Sequence, residues 1–118
     1  MEHSVAEKSF LFAIRIVNLY KHIIDVKKEV VLSKQLLRCG TSIGANIAEA
    51  HDAQSRADFI SKQNIALKEA NETEYWLRLL HATNYLTDAE FQSIYVDCQQ
   101  LQKMLISIIK TSKLPQKK

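Results

Sequence analysis

Only three of the 118 residues, Gly40, Gly44 and Pro115, belong to the two residue types that most readily turn a backbone. Glycine supplies positive φ and proline pre-sets φ at tight corners, so a β-sandwich or barrel, which turns about every ten residues, lacks its raw material here. With 47% hydrophobic residues the chain can still bury one compact core. These facts predict an all-α fold.

Helical spacing divides the chain into four segments. Ser4 followed by Glu7 has capping-box spacing and opens a first helix expected over 5–27. Phe12, Ile16, Leu19 and Ile23 form one apolar stripe along it, and Phe10, Ile14 and Val17 form a second beside it. That arc is wider than one bundle seam requires, so something beyond the chain's own core is expected to cover the excess. Ser33 is expected to cap a second helix over 34–52, with Leu32 and Leu37 as a hydrophobic staple and Leu36, Ile43, Ile47 and Ala50 facing inward. A third helix is expected from Ser55 to about residue 84, with Phe59, Ala66, Ala70, Thr73, Leu77 and Leu80 on one face. The fourth opens at Thr87-x-x-Glu90, a capping box flanked by the Leu86–Phe91 staple, and carries the seam Phe91, Ile94, Cys98, Leu101, Leu105, Ile108. Short joints between long helices predict an antiparallel up-down-up-down four-helix bundle over 1–112, followed by a basic flexible tail over 113–118.

Both glycines fall inside the second helix, where each costs about 1 kcal/mol relative to alanine. With Ala48 they form a ridge spaced by four that lets another helix approach closely. The small residues Ala66 and Ala70 of the third helix are its expected partner.

The net charge of +3 is unevenly spread. Residues 1–109 hold 12 Lys and Arg against 13 Asp and Glu, while 110–118 hold four Lys and no acid. Candidate nucleic-acid contacts are Lys27, Lys28, Lys34 and Arg38 around the first joint, and Lys110, Lys113, Lys117 and Lys118 at the end. No apolar run approaches the roughly 18 residues of a membrane span, and the N-terminus has no leader pattern, so a soluble cytoplasmic protein with no membrane partner is expected. Cys39 and Cys98 stand apart without CxxC spacing and are expected to be small buried apolar residues.

Catalytic signatures are sparse. No Glu-x-x-His pair, HExxH, Gly-rich phosphate loop or GxSxG occurs, so neither a metal nor a cofactor is expected, and no small-molecule substrate is indicated. One spacing resembles the Arg-x4–6-His signature of helical HEPN-class ribonucleases. Arg15 and His22, seven residues apart, share a helix face, where an imidazole could act on a ribose hydroxyl while the guanidinium holds phosphate.

The run Leu36-Leu-Arg-Cys-Gly-Thr-Ser-Ile-Gly-Ala-Asn-Ile-Ala-Glu-Ala50, with Phe59-Ile-Ser-Lys and Ala66-Leu-Lys-Glu-Ala-x-Glu-Thr-x-Tyr-Trp-Leu77, resembles the bacterial four-helix bundle family of 23S rRNA-intervening sequence proteins. A more distant likeness is to the accessory variability determinant proteins of retroelements, which are homopentameric and RNA-binding but strongly basic, unlike residues 1–109 here. The resemblance implies a non-enzymatic bundle that forms a homo-oligomer, a pentamer above all, with no catalytic residues to carry over. Its motif falls on Gly40, Ser42, Gly44, Asn46 and Glu49, with Glu69 and Trp76 on the next helix, positions expected to serve helix packing and buried hydrogen bonds. The leading expectation is a self-associating scaffold or nucleic-acid-associated protein binding RNA or DNA. A ribonuclease using Arg15 and His22, and a purely structural oligomer, are the alternatives.

Overall fold

The computed structural model describes residues 4–115 and contains α1 (Val5–His22), a π-helical turn (Ile23–Lys27), α2 (Val31–His51), α3 (Arg56–Ala82) and α4 (Asp88–Ser112). The predicted caps of α1, α3 and α4 are present. Ser4, Ser55 and Thr87 each accept from the backbone N–H three residues on, and Glu90 closes the Thr87 box by accepting from the Thr87 N–H at 2.8 Å.

Two local expectations are corrected. Ser33 does not cap α2, which begins at Val31 with Val30 as the N-cap residue. The Glu29 carboxylate accepts from Leu32 N–H at 3.0 Å and Ser33 N–H at 2.8 Å, while the Ser33 hydroxyl donates to the Glu29 carbonyl. A carboxylate forms stronger bonds to orphan N–H groups than a hydroxyl and also complements the helix dipole, so it takes the terminus. The last residue of the α4 seam is Ile109 rather than Ile108, because a straight α-helix drifts by about 20° per heptad from a strict 3.5-residue repeat.

Contacts between neighbouring helices run in opposite order, which makes every adjacent pair antiparallel. Gly40 faces Ile16 and Gly44 faces Ser9 between α2 and α1, Arg38 meets Glu69 and Glu49 meets Lys62 between α2 and α3, and Arg56 reaches Ser112 while His81 reaches Asp88 between α3 and α4. The core runs the length of this four-helix bundle. Phe12, Ile16, Ile23, Leu36, Ile43, Leu77, Leu80, Leu101 and Leu105 are fully buried in it.

The glycine ridge has a different partner from the one expected. A Cβ at Gly40 would lie 2.9 Å from Ile16 Cγ1 and Cγ2, and one at Gly44 would lie 3.3 Å from Ser9 Oγ, so the ridge admits α1 and not α3. Ala66 and Ala70 are fully buried against the core, where the Cys98 thiol donates to the Ala70 carbonyl at 3.5 Å. The small face of α3 therefore meets α4 at Ala70, and the ridge of α2 accommodates α1 at Ile16, a member of its first stripe, and at Ser9.

Candidate assembly face and the ion-pair network behind it

On its outer side, α1 leaves Phe10 66%, Leu11 46% and Ile14 44% exposed. These three lie within little more than one helical turn. Phe10 borders a shallow groove of about 350 Å³ between α1 and α2, lined by Ala6, Ser9, Ala13, Gly44 and Ala48 among others, all uncharged. The groove exists because the ridge brings the two backbones close. Ser9, buried at the crossing, satisfies its hydroxyl on the Ala6 carbonyl at 2.9 Å. The excess apolar arc is thus real at Phe10 and Ile14, and among the described residues nothing covers most of Phe10.

Behind this face, α2 is locked to α3 by charge. Arg38 Nη1 donates to Glu69 Oε2 at 3.1 Å, its Nη2 donates to Glu72, and Trp76 Nε1 donates to the same Glu72 carboxylate at 3.1 Å. Glu69 is only 8% exposed, so its carboxylate depends on Arg38 for compensation. The bonds from Trp76 and Arg38 hold the Glu72 carboxyl below its ordinary value of 4.5. Of the other motif positions, Ser42 donates to the Arg38 carbonyl and Asn46 to the Ser42 carbonyl, both within α2, and Glu49 pairs with Lys62 at 3.4 Å. Glu69 and Glu49 therefore join α2 and α3, Trp76 braces Glu72 within α3, and Ser42 and Asn46 bond their own backbone.

The structure scatters the other candidate residues. Lys27, Lys28 and Lys34 are exposed at the α1–α2 joint, where Lys28 takes a left-handed conformation at φ 59°. Arg38, grouped with them by sequence, is committed to Glu69 and Glu72. Lys110 and Lys113 are exposed at the opposite end, and Lys117 and Lys118 lie outside the described residues. Arg15 and His22 do share a groove between α1 and α4. The Arg15 guanidinium, however, is held by Asp97 at 2.5 Å and by the Ser93 hydroxyl at 2.7 Å, and His22 Nε2 lies 3.4 Å from Glu90. Cys39 and Cys98 are buried, and desolvation pushes their thiols up to about 11 and about 12. Among the described residues no cluster of three or more His, Cys, Asp or Glu could hold a metal ion.

The chain matches the profile described as 23S rRNA-intervening sequence protein over residues 1–107. It belongs to that family. A crystal structure from Bacteroides thetaiotaomicron VPI-5482, described as a protein with unknown function from the S23 ribosomal protein family, is similar to it. The two are 64% identical with a TM-score of 0.90, over 91% of this chain and 99% of that one. No curated protein matches. The 23S rRNA-intervening sequence protein fold is thus the four-helix bundle seen here.

Several residues central to this family member were not singled out by spacing. Glu29 lies three and four residues before the N–H groups it caps, a signal available in sequence but overshadowed by Ser33. Ser9 and Asp97 carried no local signal, since each acts on a helix distant in sequence.

Proposed function

We propose that this protein is a non-catalytic, self-associating helical scaffold whose α1–α2 face docks against further copies of the same chain. The observation that carries this reading is the exposure of Phe10, Leu11 and Ile14 beside an uncharged groove. Burying such side chains stabilises by about 25 cal/mol per Å² of apolar surface, and the groove offers no charge to desolvate in return. A closed ring of copies is the assembly the family resemblance implies, with five as its stoichiometry. It would repeat Lys27, Lys28 and Lys34 once per copy, which supports a nucleic-acid-associated scaffold through multivalency. Among the described residues no helix is long and apolar enough to cross a membrane, in keeping with a cytoplasmic setting.

Light scattering coupled to gel filtration tests the reading. The wild-type chain is expected to run as an oligomer, and Phe10→Asp with Ile14→Asp as a folded monomer by circular dichroism. A monomeric wild type, or an oligomer untouched by both substitutions, would refute it. The competing ribonuclease reading is tested on the same sample, since RNA cleavage lost in His22→Ala would establish it.

A further inference from the structure

The second half of α3 looks balanced in sequence, with Glu69, Glu72 and Glu74 among Lys68 and Arg78. The fold engages the acids with partners, although Lys68 stays close enough to Glu72 to help lower its carboxyl. Glu69 and Glu72 point to Arg38, Glu72 also accepts from Trp76, and Glu74 accepts from the Tyr95 hydroxyl at 2.9 Å and Gln102 Nε2 at 2.8 Å. What remains outward is the stripe Asn64, Lys68, Asn71, Tyr75, Arg78, all exposed and spaced by four and three residues on one helix face. Neither Lys68 nor Arg78 has an ion-pair partner within 4 Å among the described residues.

Tyr75, 56% exposed, stands at one side of a groove of about 530 Å³ between α3 and α4. His81, Phe91 and Tyr95 also line it and form a continuous stack. His81 and Phe91 lie 4.3 Å apart at 5°, and Phe91 and Tyr95 lie 4.8 Å apart at 25°. The acid on its lip, Asp88, sits 2.6 Å from His81 Nε2. Tyr75 is braced edge-on by Trp76, with centroids 5.1 Å apart.

We propose that this α3 stripe and its aromatic groove bind single-stranded nucleic acid, with an unpaired base stacking on Tyr75 and the flanking phosphates held by Lys68 and Arg78. Sequence-independent strand binding needs a basic track interrupted by accessible ring faces, and this helix presents one over about 15 Å, the rise from residue 68 to residue 78. A duplex, whose bases are already stacked, cannot use Tyr75 in this way. The site differs from the lysines at the α1–α2 joint, which have no ring among them. It also lies on α3, the helix diagonal to α1 and outside the α1–α2 face.

Fluorescence anisotropy with labelled oligouridine, oligothymidine and an RNA duplex of equal length tests the proposal on the full chain. The single strands are expected to bind more tightly than the duplex, with oligouridine preferred if the natural ligand is RNA and oligothymidine if it is DNA. Tyr75→Ala is expected to weaken binding by about 5- to 160-fold, the range for losing one base–aromatic stack, and Tyr75→Phe to retain it. Lys68→Gln and Arg78→Gln should each reduce the salt slope by about 0.7. Every substitution is at an exposed position, and circular dichroism checks that each variant folds. The proposal is overturned if the wild type binds no strand, if the duplex binds equally well, if Tyr75→Ala binds as the wild type does, or if Lys27→Gln with Lys28→Gln abolishes binding while the α3 variants retain it. The stripe lies within one chain, so a monomeric wild type would refute the assembly reading and leave this one standing.

Discussion

Gly40→Ala puts two opposing terms on one methyl group. Alanine is favoured over glycine in a helix interior by about 1 kcal/mol, and Gly40 sits in the middle of α2 with ordinary helical geometry. The added Cβ, however, would meet Ile16 Cγ1 and Cγ2 at 2.9 Å and Cδ1 at 3.0 Å. All three atoms belong to one branched side chain with 0% exposure, so no flexible end can swing away and the two helices must part. Overpacking of this kind costs about 1–3 kcal/mol, and the rigidity of Ile16 places it in the upper half of that range. The net effect is a loss of about 1–2 kcal/mol, or about 4–8 °C in Tm for a chain of this length. Urea titrations at fixed protein concentration measure it, because self-association makes apparent stability depend on concentration. Gly44→Ala is the internal comparison. Its Cβ would lie 3.3 Å from Ser9 Oγ and 3.4 Å from the Ser9 carbonyl oxygen, a milder conflict that the helix-propensity gain should roughly offset. Ile16→Val in the Gly40→Ala background should cost less than the two single changes added together, since the smaller side chain relieves part of the clash. A Gly40→Ala protein stabilised by the full propensity gain would refute the close crossing of α1 and α2.

Other outcomes follow from the polar contacts. Hydrogen bonds from Trp76 and Arg38 lower the Glu72 carboxyl below 4.5, and the Thr87 backbone N–H does the same for Glu90. A depressed folded pKa contributes stability that is complete above the unfolded value and is lost as pH falls through the folded one. Tm is therefore expected to drop below about pH 4.5, and less steeply in Glu72→Gln and Glu90→Gln; parallel profiles would contradict this. Arg38→Met leaves the Glu69 carboxylate buried without its cation and should cost about 1–3 kcal/mol in a urea titration, much of it regained when Glu69→Leu is added. Cys39 and Cys98, with thiols raised to about 11 and about 12 by burial, should resist alkylation near neutral pH until the bundle unfolds. Rapid modification of either in the native protein would show that the core around it opens.

The readable parts of this chain were those decided within one helical turn. Thr87 and Glu90 satisfy each other's backbone across three residues, so their spacing already contained the geometry. Ser33 misled because a second local candidate, Glu29, competed for the same N–H groups and carries a charge. The burial stripe of α4 was legible through Leu105, and its last turn slipped by one residue as helical drift accumulated. The excess arc on α1 was visible as Phe10 and Ile14, since no seam is that wide.

The scarcity of glycine and proline and the apolar periodicity determined four helices and the order in which they fold back on one another, because turn chemistry and amphipathicity are properties of neighbouring residues. Which surfaces meet was decided only in three dimensions. The glycine ridge could admit any helix with a matching side, and it admits α1 because α1 offers Ser9 and Ile16 at the matching heights. Charge followed the same division. Sequence counts Glu69, Glu72 and Glu74 against Lys68 and Arg78, but only the packing of α2 and α4 beside α3 draws the acids inward and leaves the bases and Tyr75 facing solvent.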